Sequence, residues 1–257
     1  LDTAAPTVAI STAPVIASGN QNSYAFSGSC SDNGQQVTVS VGGITPGVQP
    51  TCAANAWSVT GLDVSTAAEG SINILADHQD AAGNNATQAS QAINKDTTSP
   101  TIPEVQAFTW ALSSPANGTT SADNTPIVTL SNAATENGGS VQIYSDIACG
   151  SSIGSSQTIA AGGSTHNDIT LVGDGVKNFY AVVTDASSNA SPCVDIPLSY
   201  TLDTGLPSVA ITSAPAITGA NAATYTVSGT CSENTREVTV AVGGLNPAPQ
   251  PTCTANA

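Results

Sequence analysis

The sequence predicts an all-β chain of β-sandwich domains joined end to end by short linkers, and three observations carry that expectation. Apolar residues alternate over runs of five to eight positions, broken by Gly, Asn, Pro and Asp, with no sustained helical stripe. Val37, Val39 and Val41 point one way while Thr38 and Ser40 point the other, the period of two that marks a half-buried strand. The chain also repeats itself: residues 202–257 align with residues 1–56 without a gap, and 31 of the 56 positions are identical. A repeat of about 100 residues is long enough to bury its own core, unlike the short repeats of a solenoid.

In the first repeat the expected strands are Val8–Ile10, Tyr24–Cys30, Val37–Val41, Ala56–Val59, Ser71–Ala76 and Thr87–Ile93. In the second they are Val105–Phe108, Ile127–Leu130, Val141–Tyr144, Asp168–Leu171, Phe179–Thr184 and Val194–Leu198. Six or seven short strands in about 100 residues describe a sandwich, with a barrel the less suitable alternative for tandem units on short linkers. The linkers share one phrase. Asp2-Thr3, Asp96-Thr97 and Asp203-Thr204 are each followed by a proline four residues after the Asp, which stops the preceding strand and stiffens the hinge. The expected domains are therefore 1–95, 96–201 of a divergent subtype, and 202–257, the first half of a third sandwich of the first kind. With neither an initial Met nor a signal peptide, the sequence reads as a window on a longer protein.

Composition narrows the function. Three basic residues, Lys95, Lys177 and Arg236, stand against eighteen acids for a net charge of −15, yet charged residues make up only 8% of the chain. Such a surface repels phosphate backbones and anionic headgroups, so nucleic acid and membrane are unsuitable partners, while divalent cations are favoured. No stretch of about 20 apolar residues is present to span a bilayer. The six cysteines fall two to a repeat, Cys30 with Cys52 and Cys231 with Cys253 at one spacing, and Cys149 with Cys193 between them. That arithmetic reads as disulfides formed in an oxidising compartment. Pairing within each repeat is the simplest choice, and pairing between chains would instead make a crosslinked fibre. Zinc is poorly served, since no Cys pair has finger spacing and His78 and His166 lie outside the cysteine pattern.

The chain resembles the bacterial immunoglobulin-like (Big-type) tandem repeat domains of large secreted surface proteins and adhesins. The resemblance rests on the Asp-Thr-x-x-Pro linker, Ser27-Gly28, Val37-Thr38-Val39 followed by Gly42-Gly43, Asn55-Ala56-Trp57-Ser58-Val59-Thr60, and Asp80-Ala81-Ala82-Gly83-Asn84. In the middle repeat the last phrase becomes Asp185-Ala186-Ser187-Ser188-Asn189. The resemblance implies an immunoglobulin-like sandwich and a place on the bacterial cell surface, with calcium at domain junctions. The cysteines are a departure from the one-step secreted calcium-rich adhesins, and point to export through an oxidising periplasm.

Acids recur at matching positions: Asp2, Asp96 and Asp203 in the linkers, Asp32, Glu136 and Glu233 after the second strand of each repeat, and Asp80 and Asp185 before the last strand. In an immunoglobulin-like sandwich these three places lie at one end. Three carboxylates brought together raise one another's pKa unless a hard divalent ion neutralises them. Asp96, Glu136 and Asp185 are thus the expected ligands of one Ca²⁺ at the joint between the first two repeats, with Asp2, Asp32 and Asp80 an equivalent set. The competing expectation is that these Asp and Asn residues are simply turn formers.

Other residues carry weaker signals. Trp57 and Trp110 suit sugar stacking or, more simply, the core. Asn85, Asn117 and Asn189 begin glycosylation triplets that a chain this rich in Asn, Ser and Thr produces by chance. Gly42-Gly43 and Gly243-Gly244 are turns, since no helix follows them. Catalysis is disfavoured: His78 and His166 sit in different repeats, and the acids lie on short loops without an aromatic-lined cleft. No organic cofactor is expected. The expectation is a non-catalytic, disulfide-stabilised, calcium-stiffened spacer rod whose partners are further copies of the repeat. One alternative is a self-assembling subunit of a filament, sheath or surface layer, which requires exposed sheet edges or apolar patches. The other is a glycan- or protein-binding module, for which Phe108, Trp110, Phe179 and Tyr180 are the candidate aromatics.

Overall fold

The structure is a computed structural model that describes residues 2–254. The chain forms two compact units, Leu1–Leu202 and Asp203–Ala257, and the first contains two immunoglobulin-like sandwiches with separate hydrophobic cores.

The first sandwich follows the alternation of its sequence closely. Strands β1 (Val8–Thr12), β2 (Tyr24–Cys30), β3 (Val37–Val41), β4 (Ala56–Leu62), β5 (Gly70–His78) and β6 (Ala89–Lys95) form two antiparallel sheets, in the orders β1-β2-β4 and β3-β5-β6. Every second residue of β2 and β3 is buried, so Tyr24, Phe26, Val37, Val39 and Val41 meet Trp57, Ile72 and Ile74 between the sheets. Cys30 and Cys52 are joined inside this core. The buried Tyr24 hydroxyl donates to the Pro14 carbonyl at 2.6 Å, and burial pushes its pKa up to about 12.

The outer edge of β3 is closed by its own downstream segment. Val37 N–H donates to Pro50 O and Cys52 N–H to Gln35 O, each at 2.8 Å. Between them the Gln49 side chain replaces a strand: its Oε1 accepts from Val39 N–H at 2.7 Å and its Nε2 donates to Val39 O at 3.2 Å. Gln250 does the same for Val240. An edge whose main-chain groups are already paired offers no template to another strand.

The second sandwich is more elaborate. A short helix α1 (Ile102–Ala107) leads into β7 (Thr109–Ser114), β8 (Thr120–Ser121), β9 (Ile127–Ser131), β10 (Ser140–Tyr144), β11 (Ser152–Thr158), β12 (Ser164–His166), β13 (Gly175–Thr184) and β14 (Val194–Leu202). One sheet runs β12-β9-β7 and the other β11-β10-β13-β14-β8, with β8 parallel to β14.

Three expectations are corrected here. Val105–Phe108 is not a strand: Thr101 caps α1, its hydroxyl accepting from Glu104 N–H while the Glu104 carboxylate accepts from Thr101 N–H, a capping box that outweighs four apolar-leaning residues. Asp168–Leu171 is not a strand either, because the β9 edge is taken by β12, which begins four residues earlier, after the turn at Gly162-Gly163. Ile169 and Leu171 remain buried, so the apolar signal reported burial and not strand. Third, β7, β8, β11 and β12 go beyond the expected set, and β11 carries Ser-Ile-Gly-Ser-Ser-Gln-Thr, with no apolar alternation to announce it.

In the second unit β15 (Val209–Ser213) pairs with β16 (Ser228–Cys231) in the register of β1 with β2: Val209 lies opposite Cys231 as Val8 lies opposite Cys30. Cys231 is bonded to Cys253, and in the second sandwich Cys149 to Cys193.

His166, on β12, is fully buried, and among the described residues neither ring nitrogen has a hydrogen-bond partner. Burial depresses its pKa below 6.5, opposed by the nearby Asp168 carboxylate and, more weakly, by the Ser155 backbone, which is close but outside hydrogen-bonding geometry. The neutral ring therefore supports stability above the unfolded-state pKa of about 6.5, and that support is lost as pH falls through the lower folded-state value. Thermal melts from pH 7.5 down to 5 should show the second sandwich weakening, and His166→Phe should flatten that dependence.

Candidate functional site

The site is the joint between the two sandwiches of the first unit, assembled from the loop that follows β13. Asp185 opens this loop. Its Oδ1 accepts from Ser187 N–H and Asn189 N–H, each at 2.8 Å, and its Oδ2 accepts from Asn189 Nδ2 at 2.9 Å. The loop after β5 is built alike, Asp80 Oδ1 accepting from Ala82 and Asn84 N–H at 2.9 and 2.8 Å and Oδ2 from Asn84 Nδ2 at 2.7 Å. The Asp-x-x-x-Asn spacing thus closes a turn in which the first side chain fixes the fifth residue's main chain and amide together. These hydrogen bonds, led by that from Asn84, hold the Asp80 carboxyl below the usual carboxylate range.

Asn189 then reaches across the joint. Its Nδ2 also donates to the Asp96 carbonyl of the linker at 2.8 Å, and its Oδ1 accepts at 2.9 Å from the main-chain N–H of Ser18 in the first sandwich. One side chain, only 1% exposed, joins three segments that lie up to 171 residues apart. Burial strengthens such a bridge, because none of its groups can exchange a partner for water without opening the joint.

The first sandwich holds the linker from the other side. Asp96 N–H donates to Ile16 O and Ile16 N–H to Asn94 O. Lys95, 2% exposed, donates through Nζ to Ser65 O, Ala67 O and Glu69 Oε1 at 3.0, 2.8 and 3.0 Å. Glu69 in turn accepts from the Thr97 hydroxyl at 2.7 Å and from Thr97 N–H at 3.1 Å. No motif in the sequence marks Lys95 and Glu69 as a pair. The only hint was a lone lysine, in a chain with three basic residues, placed directly before the linker Asp.

The acids expected to hold calcium fall as follows. Asp2, Asp96 and Asp203 each accept through Oδ1 from the N–H two residues on, at Ala4, Thr98 and Gly205. Asp32 Oδ2 accepts from the Ser31 hydroxyl, and Asp32 N–H donates to His78 Nε2. His78 Nδ1 lies 3.0 Å from Gln36 O, which makes it the donor to that carbonyl and leaves Nε2 the acceptor. Glu136 is buried in a single 3₁₀ turn, Ala134–Glu136. Burial first, then the charges of Glu104, Asp185 and Asp96, raise its pKa, against a hydrogen bond from Thr135. The structure therefore brings Asp96, Glu136 and Asp185 near one another and adds Glu104 to them. Among the described residues, however, no three His, Cys, Asp or Glu side chains form a group that could hold a metal ion. Asp80 and Asp185 spend their oxygens on their own loops, so the donor sets as they stand do not fit a Ca²⁺ cage. Asp203 and Glu233 belong to the second unit.

The other candidates are spoken for by the fold. Trp57 and Trp110 are buried, their indole N–H groups donating to Ser29 O and Val105 O. Phe108 and Phe179 are buried as well, leaving only Tyr180 half-exposed, opposite Tyr144. Asn189 is too buried to accept a glycan, and Asn117 clamps β14 through Ser199 N–H and Pro197 O.

No protein-family model matches this chain, and no curated protein matches it. Solved structures do. A tetra-tandem repeat from the extending region of a large adhesion protein is 22% identical over 98% of this chain and 63% of its own, with a TM-score of 0.30. A Ca²⁺-stabilised adhesin that helps an Antarctic bacterium reach out and bind ice is 23% identical over 99% of this chain and 64% of its own, with a TM-score of 0.43. A 1.5-MDa bacterial ice-binding adhesin is 19% identical over 78% and 67%, with a TM-score of 0.39. The chain spans less than two thirds of the first two of these structures.

Proposed function

We infer that this chain is a non-catalytic spacer segment of a long, repetitive bacterial surface protein, one that holds a more distant part of that protein away from the cell. The observation that carries this reading is Asn189, which locks two sandwiches and their linker into one body. A spacer needs domains that resist extension and joints that resist bending. Antiparallel sandwiches supply the first, and each 22-residue disulfide loop should add roughly 3 kcal/mol in the chain-entropy model. The buried bridge supplies the second. Three disulfides accord with an extracellular location reached through an oxidising compartment. Further copies of the repeat are the natural neighbours of such a segment. Lateral assembly through β3 is opposed by the Gln49 cover on that edge.

Asn189→Ala tests the reading. It strands the Asp96 carbonyl and the Ser18 N–H, which should cost about 2 kcal/mol. It should also speed hydrogen exchange at Ser18 and broaden the distance distribution from small-angle scattering. An unchanged scattering profile would refute the latch.

A second reading adds calcium, and the charge crowding around buried Glu136 favours it. In that reading Asp96, Glu136 and Asp185 reorganise around Ca²⁺ and the joint stiffens further. Melts in calcium and in chelator separate the two. With the latch alone, calcium leaves the midpoint unchanged and Glu136→Gln raises it by removing buried repulsion. With a calcium site, calcium raises the midpoint and Glu136→Gln abolishes the rise.

A further inference from the structure

The leading end of the first sandwich carries the same latch with one place open. Asn84 donates through Nδ2 to Asp80 Oδ2 at 2.7 Å and to the linker carbonyl of Asp2 at 3.2 Å, as Asn189 does to Asp185 and Asp96. Its main-chain N–H is fixed on Asp80 Oδ1 at 2.8 Å, matching Asn189 on Asp185. With both amide hydrogens committed, the direction of Oδ1 is set. In Asn189 that oxygen accepts from Ser18 N–H, whereas in Asn84 it is half-buried and has no hydrogen-bond donor among the described residues.

The donor half is also a repeated structure. The loop bearing Ser18 is shaped by Asn20, whose Oδ1 accepts from Ala17 N–H at 2.8 Å and whose Nδ2 donates to Val15 O at 2.9 Å. In the second unit Asn221 makes the same pair of bonds with Thr218 N–H and Ala216 O, at 2.7 and 2.9 Å, which sets Gly219 N–H at the place of Ser18. The second sandwich differs. Ile16 pairs with Lys95 as Ser121 pairs with Leu202, so Asp123 stands where Ser18 does, and its N–H is already given to the Ser121 hydroxyl at 3.1 Å. Its carboxylate is turned to its own loop, accepting from the Ser114 hydroxyl and from Thr125, so this loop is built differently from that of Ser18.

We propose that the Asn84 end of the first sandwich is a docking surface for the loop after the first strand of another sandwich of the first kind, the main-chain N–H at the Ser18 position closing the latch. This rests on the spacer reading above and adds to it a rule for which repeat can precede which with a locked joint.

The test extends the chain at its leading end in linker register. In one version residues 1–95 precede Asp2; in the other residues 96–202 precede it. Amide hydrogen exchange by NMR reads the added copy. With 1–95 added, the Ser18 amide of the added copy should exchange at least tenfold more slowly than in Asn84→Ala of the same extended chain, and scattering should show a straighter particle than the 96–202 version. Equal exchange with and without Asn84, or equal stiffness of the two extended chains, would overturn the proposal. Asn189→Ala in the same molecule keeps the two ideas apart: if it frees Ser18 of the resident copy while Asn84→Ala is silent, the spacer reading stands and the docking rule falls. If both are silent, both fall.

Discussion

Gly28→Ala should prevent the first sandwich from folding stably, the largest effect expected of any one-carbon change in this chain. Gly28 sits mid-strand on β2, opposite Ile10 of β1 and Trp57 of β4. The Trp57 ring lies over it, and a Cβ there would overlap both that ring and the Ala9 carbonyl oxygen. Neither can retreat, since Trp57 is 3% exposed with its N–H bonded to Ser29 O, and the Ala9 carbonyl belongs to the β1 backbone. Overpacking a core site typically costs about 1–3 kcal/mol and more where the neighbours cannot shift, as here, against a typical domain stability of about 5–15 kcal/mol. Denaturant unfolding followed by Trp57 fluorescence, with Trp110→Phe in both parent and variant so that Trp57 alone reports, gives the number. A loss under about 1 kcal/mol would mean that the sheet can spread, and that the packing of Trp57 on glycine is not what fixes this pair of strands.

Lys95→Met should be the next most damaging change. The lysine stem is buried and its ammonium group makes three bonds, two of them to carbonyls of the loop before β5. Methionine keeps the volume but leaves those carbonyls and Glu69 without their donor. A loss of about 3 kcal/mol is expected, or a fall in melting temperature of about 15 °C for a domain of this size. Because Glu69 also holds Thr97, the same substitution should loosen the linker, while Glu69→Gln should loosen the linker with a smaller loss of stability. Equal stabilities of Lys95→Met and the parent chain would show that the loop can turn its carbonyls to water.

Much of this was legible in the sequence, and the legible part has a common physical basis. Strands β2 and β3 announced themselves with correct ends because alternating burial forces alternating residues, and Cys30–Cys52 and Cys231–Cys253 because a repeat repeats its crosslinks. Strand β11 did not, since a mostly exposed strand with Ile153 as its one apolar contact to the core imposes no pattern. The segment Val105–Phe108 misled because four residues cannot separate a strand from a helix turn, although Thr101-x-x-Glu104 carried the capping signal. At the joint, the recurrence of Asp and Asn marked the right loops. What spacing alone could not settle is which atoms those side chains face. Asp185 turns inward to its own loop, and Asn189, legible in the sequence as the end of the Asp185 phrase and the start of a chance glycosylation triplet, does the bridging.

The most direct test of the spacer account is whether the two sandwiches of the first unit tumble as one body without added metal. Residual dipolar couplings measured on the full chain in chelator give an alignment tensor for each sandwich separately. The account predicts one shared tensor for residues 2–95 and 101–202, split into two by Asn189→Ala. Two independent tensors in the parent chain would contradict it, and their merging on addition of calcium would transfer the joint's rigidity from the asparagine bridge to a metal ion.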